Sequence, residues 1–286
     1  MSANRANTQA LEADWLGLCR RAAARLEEML SRHPATVDRA VGIGRGAGGD
    51  QTLVIDDAAE DAIFAELDEL HAEGHEFTAI SEERGEVVYG DGSSEVRVVI
   101  DPIDGSLNAK RLIPTCALSI AVASGPTMED VELGYVRDFG TNEEYVARLG
   151  EGTTLDGIAL DADDPGRGLE VVGIETARPE WIGPVMATLE GSVYRVRIVG
   201  SIAVSLCYLA AARFDGMVTA NTCRSVDAAA GQLIAREAGA FVSVLGHGGI
   251  EAPLDIDTRF RFAAARTPEH LETLVKALVD AGLPPE

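Results

Sequence analysis

The stretch that most constrains this chain is Val96–Ser106, which reads VRVVIDPIDGS. Its apolar first half predicts a short buried strand. Asp101 and Asp104 follow at the strand end, where two carboxylates are costly to bury unless something pairs with them. The proline between them cannot continue a strand ladder, and Gly105 and Ser106 can turn their N–H groups toward an anion. This pattern predicts a hard-cation site beside an oxyanion site, and the alternative is an Asp-Pro/Asp-Gly surface turn.

Two further acidic segments flank this stretch. Glu82 and Glu83 follow the strand-like run Phe77–Ser81, and Asp227 stands near the start of the small-residue segment Ser225–Gly231. With these three segments in this order, the chain resembles the inositol monophosphatase / fructose-1,6-bisphosphatase superfamily of metal-dependent sugar phosphatases, in particular its archaeal-type members. The resemblance extends from about residue 46 to the last predicted helix. It implies an α/β fold, the five-layered αβαβα sugar-phosphatase fold.

The resemblance also implies two or three Mg²⁺ ions in the active site. Glu82, Asp101 and the carbonyl of Ile103 would hold the first ion. Asp101 would bridge to a second ion, which Asp104 and Asp227 would complete. Carboxylates without His or Cys partners suit hard cations of this kind. For each acid the alternative is structural, as a solvated loop carboxylate or a helix cap.

Other residues would then act on water and phosphate. By resemblance, Glu83 and Ser106 orient the attacking water, and the N–H groups of Gly105 and Ser106 hold the phosphoryl oxygens. Asp56 matches an acid in the outer part of the metal site. Its alternative role is to cap the helix predicted over 56–72.

Substrate contacts are expected at a second turn. Gly200 and Ser201 follow a predicted strand and open a helix, which makes a ready anion site, and the resemblance implies that this turn contacts the sugar or cyclitol ring. Ala220 stands where animal relatives carry an inositol-contacting Glu, with Asn221 as its polar neighbour, which weakens the expectation of inositol specificity. The candidates for binding a second phosphate are basic: Lys110, Arg111, Arg195, Arg197 and Arg224.

We therefore expect a Mg²⁺-dependent phosphomonoesterase acting on a small sugar or cyclitol phosphate, with fructose 1,6-bisphosphate and inositol 1-phosphate both open. One alternative is a 3′-phosphoadenosine nucleotide phosphatase, although those relatives usually carry Leu in place of Ile103. Another is a non-catalytic module that senses metal or phosphate on the same fold. The acids present at every expected metal position argue against that module.

Composition restricts the partners and the setting. The chain has 47 acidic and 24 basic residues, a net charge of −23, and only two lysines. Such an excess of acid argues against a nucleic-acid or membrane-surface partner and favours a halophilic protein, with an ordinary acidic enzyme as the alternative. Four cysteines without CxxC spacing and the lack of a long apolar run indicate a cytoplasmic protein. Relatives of this family are often homodimers, so we expect one here.

Three expectations concern the course of the chain. Apolar spacing predicts a single helix over 8–33. The Gly- and Asp-rich stretch 151–168 is the predicted boundary between a half at 1–150 with the Glu-Glu and Asp-Pro-Ile-Asp segments and a half at 151–286 with Asp227. Residues 44–50 fit GxGxxG but lead to a strand-like run, so we expect a glycine loop and no dinucleotide site. Relatives often carry an acid in this loop; Gly48 stands there, which leaves a third metal position open.

Overall fold

The computed structural model describes residues 2–33, 36, 42–45, 51–160, 166, 168–176, 178–247 and 249–282. The α-helices in these ranges are α1 (Ser2–Leu11), α2 (Trp15–Arg32), α3 (Val54–Ala72), α4 (Ser106–Arg111), α5 (Pro179–Thr188), α6 (Ile202–Ala210), α7 (Ser225–Glu237) and α8 (Pro268–Asp280). The strands are β1 (Gly42–Arg45), β2 (Gln51–Leu53), β3 (Phe77–Ser81), β4 (Gly85–Tyr89), β5 (Arg97–Asp104), β6 (Ala117–Ala123), β7 (Val131–Asp138), β8 (Glu143–Arg148), β9 (Gly152–Leu155), β10 (Ile158–Ala159), β11 (Val171–Glu175), β12 (Arg195–Arg197), β13 (Gly216–Thr219), β14 (Phe241–Leu245) and β15 (Arg261–Ala265).

The larger sheet has eight strands in the order β10-β9-β8-β7-β6-β5-β3-β4. All neighbouring pairs in it are antiparallel except β3 and β5, which run parallel. The residues of β5 from Val98 onward are buried, as the apolar run in the sequence predicts. Because β5 lies between β3 and β6, its far end carries the Asp-Pro-Ile-Asp segment into the interior of the protein.

Of the two sheets that form layers, the smaller has five strands in the order β12-β11-β13-β15-β14, and β1 and β2 form a separate antiparallel pair. Strand β11 pairs in parallel with both β12 and β13, and β15 is antiparallel to β13 and β14. The parallel strands are followed by helices α5, α6 and α7. The carboxyl ends of β11 and β13 therefore lie on one edge of the sheet, where ligands bind in open α/β sheets.

The helices and sheets stack in five layers. Helices α2 and α3 pack together, and both contact the larger sheet. Helices α6 and α7 contact both sheets, and α8 covers the other face of the smaller sheet together with α5. This arrangement confirms the expected αβαβα fold. It places α6 and α7 in the middle layer, where both begin near the end of β5.

Close packing of the middle layer explains the small residues after Asp227. A Cβ on Gly231 would lie 2.7 Å from the Cδ1 of Leu206 in α6, and a Cβ on Gly134 would lie 2.7 Å from the carbonyl oxygen of Ala230. Larger residues at these positions would push α7 away from both neighbours. The small residues thus let α7 bring Asp227 close to the larger sheet.

The prediction of one helix over 8–33 is wrong. Helix α1 ends at Leu11 and α2 begins at Trp15. The Asp14 carboxylate accepts a hydrogen bond of 3.0 Å from the N–H of Gly17 and so caps α2. A capping side chain satisfies an N–H that has no partner within the helix, which favours a new start over continuation.

The predicted boundary at 151–168 begins inside the larger sheet, because β9 and β10 form its edge. Helix α7, from the second half of the chain, also packs against strands of the first half. The division between 1–150 and 151–286 therefore stays a prediction. The glycine loop falls mostly at 46–50, which lie outside the described residues. None of the described helices has the length and apolar character needed to cross a membrane.

Candidate active site

Parallel pairing brings the predicted metal ligands together. In the β3–β5 pair, Ser81 lies opposite Ile100, so the next residues, Glu82 just after β3 and Asp101 within β5, lie side by side where this pairing ends. Asp227, in the first turn of α7, approaches from the middle layer. Carboxylate oxygens of Glu82, Asp101 and Asp227 all lie within 4.8 Å of one another. We call these three residues the acidic trio.

Burial makes two members of the acidic trio, Glu82 and Asp101, costly to ionise. Asp101 is only 2% exposed. Burial raises the pKa of Glu82 to about 8. Burial also raises the pKa of Asp101, and the charge of Glu82 raises it further. Buried carboxylates of this kind stay ionised when a cation pairs with them, and an all-oxygen donor set suits a hard divalent ion.

Asp104 lies beside the acidic trio but makes different bonds. Its Oδ2 accepts hydrogen bonds from the Ser201 hydroxyl at 2.7 Å and from the Ala203 N–H at 2.6 Å. Burial raises the pKa of Asp104 to about 7, and the charge of Asp227 also raises it, against the lowering effect of these bonds. Asp104 thus ties the end of β5 to the start of α6. Its predicted role as a metal ligand stays a prediction.

A small cavity of about 20 Å³ lies beside Asp101. It is lined by Asp56, Glu82, Glu83, Asp101, Pro102, Ile103 and Ser106. A cavity of this volume holds about one water molecule. The structure therefore places the two residues expected to orient water, and the expected outer acid, around one water-sized space.

Glu60 of α3 forms hydrogen bonds with the turn that carries the Glu-Glu segment. Glu60 is 1% exposed, and it accepts hydrogen bonds from the hydroxyl of Ser81 and from the N–H of Arg84. The Arg84 guanidinium lies 3.4 Å from the same carboxylate. In the sequence Glu60 resembles a solvated acid on the helix face of Asp56. Only the tertiary structure shows that it is buried beneath this turn.

A cleft of about 640 Å³ opens beside Asp104 and Asp227. Of the residues expected to contact substrate, four line it: Gly200, Ser201, Asn221 and Arg224. The lining residues without a predicted role include Glu175, Arg178, Trp181 and Arg259. The cleft therefore joins the acids at the end of β5 to a wall of arginines from the second half of the chain.

The Val199–Ser201 turn in this cleft is bound tightly within the protein. The Glu175 carboxylate accepts hydrogen bonds from the N–H groups of Val199 and Gly200, at 3.3 and 2.8 Å, and from the Ser205 hydroxyl at 2.7 Å. On the other side, the Asn108 amide donates to the Val199 carbonyl at 2.7 Å. The Gly200 N–H and the Ser201 hydroxyl thus already have protein partners, so their predicted contact with substrate stays a prediction.

Close backbone contact joins this turn to the turn at Gly105 and Ser106. Gly105 has a φ of +89°, and a Cβ there would lie 2.8 Å from the Thr115 carbonyl oxygen and 3.1 Å from that of Gly200. Glycine is the residue that tolerates such a conformation and such an approach. A side chain at position 105 would therefore push the two turns apart.

Replacing Glu175 by Gln should loosen this turn. Gln offers one acceptor oxygen where three donors converge, and a hydrogen bond to a charged group contributes about 1.5–3 kcal/mol. We expect the free energy of unfolding to fall by about this amount and KM for substrate to rise more than kcat falls. Urea unfolding and steady-state kinetics measure both.

The matched control is Glu180→Gln, which changes an exposed side chain in the first turn of α5. A variant of Glu175 that loses stability but keeps the wild-type KM would restrict the residue to a structural role. Glu175 could have been found from the sequence, because it ends the apolar run of β11 as Asp101 ends that of β5.

Four predicted phosphate contacts are not among the residues that line the cleft. Lys110 and Arg111 lie at the end of α4, and Arg111 is exposed. Arg195 and Arg197 are exposed on the edge strand β12, where each guanidinium donates to a neighbouring backbone carbonyl. A contact between any of them and substrate stays a prediction. The cleft presents Arg178 and Arg259 instead. The sequence did not indicate these two residues, because they lie on loops whose position no local pattern reveals.

Comparison with known proteins shows the family of this chain. The model of the inositol monophosphatase family matches residues 9–283. A fructose-1,6-bisphosphatase/inositol-1-monophosphatase of Methanothermobacter thermautotrophicus is 33% identical over 92% of this chain and 96% of its own. An enzyme with the same description from Thermococcus kodakarensis is 31% identical over 94% and 99%.

A crystal structure described as an inositol monophosphatase–fructose 1,6-bisphosphatase shares the fold. Its TM-score is 0.81 at 27% identity, over 93% of this chain and 100% of the other. The family match spans both halves of the chain and all three acidic segments. This chain belongs to the inositol monophosphatase family.

Proposed function

We propose that this protein is a Mg²⁺-dependent phosphomonoesterase that hydrolyses fructose 1,6-bisphosphate, inositol 1-phosphate or both. The observation that carries the proposal is the acidic trio, which gathers carboxylates from three separate segments of the chain beside the cleft that Asp227 lines. The names of the archaeal relatives support the two substrates. Family membership supports the reaction class, hydrolysis of a phosphoric monoester.

Glu82, Asp101 and Asp227 would hold Mg²⁺, with Asp104 and the Ile103 carbonyl as further ligands of a two- or three-ion site. The bound ions supply an activated water and neutralise charge on the transferring phosphoryl group. The all-carboxylate donor set and the raised pKa values of Glu82 and Asp101 fit such a site. The number of ions is part of the proposal.

The side chains around the small cavity would position the nucleophile. Glu83 and Ser106 flank a space for about one water molecule, where a carboxylate can accept a proton from water and a hydroxyl can fix its orientation. Ser106 also begins α4, and the first N–H groups of a helix have no partners within it. We assign the N–H groups of Gly105 and Ser106 to the phosphoryl oxygens.

The wall of the cleft supports a substrate with a second phosphate. Arg178 stacks over the Trp181 ring, with its guanidinium carbon 4.7 Å from the ring centroid. Arg259 donates to the carbonyls of Ile256 and Asp257 at 2.6 and 3.0 Å. Both guanidinium groups line the cleft that also holds Asp104 and Asp227. A bisphosphate can thus place one phosphate at the acids and the other at the arginines.

A phosphate-release screen tests the function directly. Fructose 1,6-bisphosphate, inositol 1-phosphate and 3′-phosphoadenosine 5′-phosphate are compared with and without Mg²⁺. We expect Mg²⁺-dependent release from the first two. Release from the nucleotide alone would favour the nucleotide phosphatase, and binding without release from any compound would favour the non-catalytic module.

The composition supports a halophilic protein, and the expected result is a melting temperature that rises between low salt and molar KCl. Self-repulsion from a charge of −23 is screened when the Debye length falls to about 3 Å at 1 M. Sucrose is the control, because it stabilises proteins by exclusion without screening charge. A rise in sucrose but not in KCl would contradict the interpretation. A cytoplasmic location and a homodimer also stay predictions.

A further inference from the structure

The positively charged side chain of Arg224 lies against the acidic trio. Nη2 of Arg224 lies 2.5 Å from Oε1 of Glu82 and 3.5 Å from Oδ1 of Asp227. The backbone N–H of Arg224 also donates to Oδ2 of Asp227 at 2.7 Å. The Arg224 side chain is only 11% exposed, so these contacts are shielded from solvent and from screening by salt.

Charge explains why the guanidinium is held there. Burial acts to lower the pKa of Arg224, but the charges of Asp227 and Glu82 outweigh it and raise the pKa above its ordinary value. In return, the positive charge of Arg224 lowers the pKa of Glu82 and Asp101, against burial, which raises both. Because a guanidinium does not lose its proton in proteins, Arg224 is a permanent counter-ion for the trio.

The same contacts conflict with a divalent ion. The carboxylate oxygens that accept the guanidinium of Arg224 belong to Glu82 and Asp227, which are two of the three members of the acidic trio. A bound cation would need oxygens of the same two carboxylates and would repel a second positive charge beside it. Arg224 also lines the large cleft, so its side chain has open space on the substrate side.

We propose that Arg224 competes with the divalent cation for Glu82 and Asp227, and that metal binding releases its guanidinium toward the cleft. This proposal rests on the metal site proposed above. Arg224 would keep the carboxylates paired and the site folded before metal binds. Once released, it would add a positive charge to the wall that receives an anionic substrate, so that metal loading prepares the cleft for the phosphate.

Titration of the metal alone tests the competition without any turnover. Calorimetric titration of wild type and variants with MgCl₂ compares Arg224→Gln with Arg224→Lys. We expect Arg224→Gln to bind Mg²⁺ about tenfold more tightly, equal to about 1.4 kcal/mol. Arg224→Lys keeps the charge and should stay close to wild type. In EDTA, Arg224→Gln should melt below wild type, because the trio then lacks its counter-ion.

Arg213→Gln is the matched control. It removes the same charge and breaks a 2.5 Å ion pair with Glu143, which is not a member of the trio. Its Mg²⁺ affinity should equal that of wild type. Weaker Mg²⁺ binding by Arg224→Gln would overturn the proposal, since Arg224 would then orient the ligands. Equal affinity would overturn it too.

A measurement on the wild type covers the case in which Arg224→Gln fails to fold. The ¹⁵Nε–H signal of Arg224, identified by its loss in Arg224→Lys, should shift as MgCl₂ is added and in step with binding. An unchanged signal at saturating Mg²⁺ would contradict release of the guanidinium. If neither wild type nor any variant binds Mg²⁺, the metal site of the proposed function fails as well, which separates the two outcomes.

Discussion

Replacing Asp101 by Asn should abolish turnover while leaving the fold intact. Asp101 lies at the centre of the proposed metal site, within 4.8 Å of both other members of the acidic trio. Asn is almost the same size but carries no charge, so a divalent ion loses its most buried ligand. We expect kcat on either substrate to fall well over tenfold, which is more than about 1.4 kcal/mol of transition-state stabilisation.

The melting temperature of Asp101→Asn should not fall with its activity. Burial raises the pKa of Asp101, which means that the folded protein favours the uncharged form. In EDTA, Asp101→Asn should therefore melt at or above the wild-type temperature. Asp91→Asn, at a fully exposed carboxylate outside the site, is the control for loss of one negative charge. Retention of more than about a tenth of kcat would rule out the assignment of Asp101 as a metal ligand.

The second large effect is expected from the arginine wall of the cleft. Replacing Arg178 and Arg259 together by Ala removes two guanidinium groups that can pair with a second phosphate. Loss of hydrogen bonds to a charged group costs about 1.5–3 kcal/mol each, so kcat/KM on fructose 1,6-bisphosphate should fall at least tenfold. On inositol 1-phosphate, which has no second phosphate, it should change much less.

The control is the double variant Lys110→Ala, Arg111→Ala, which removes two positive charges outside the described cleft. If this control loses bisphosphate activity and the cleft variant does not, the earlier expectation for Lys110 and Arg111 is correct. Equal losses on both substrates in the cleft variant would mean that the arginines act through the general field of the site. Arg259→Lys, which keeps a donor for the Ile256 and Asp257 carbonyls, separates binding from support of that loop.

Much of the Val96–Ser106 stretch could be predicted because its structure is local. The apolar run before Asp101 predicts the buried strand β5, since backbone patterns act within a few residues. The strand does not end there, however, because β5 continues through Asp104 with a register shift against β6 after Asp101. The small residues after Asp227 predict a helix that packs closely. From these three segments and the resemblance they carry, the family and the five-layered fold were correctly expected.

The tertiary structure alone decided which polar groups pair. Arg224 meets Glu82 across 142 positions of sequence, and Ser201 meets Asp104 across 97. Helix and strand patterns report which face of an element is buried, but they do not report which distant side chain covers a given carboxylate. That choice follows from the packing of α6 and α7 between the two sheets, which brings their first turns to the end of β5. For the same reason the sequence did not indicate Arg178 and Arg259, on loops without a periodic pattern, which line the cleft together with the predicted Arg224.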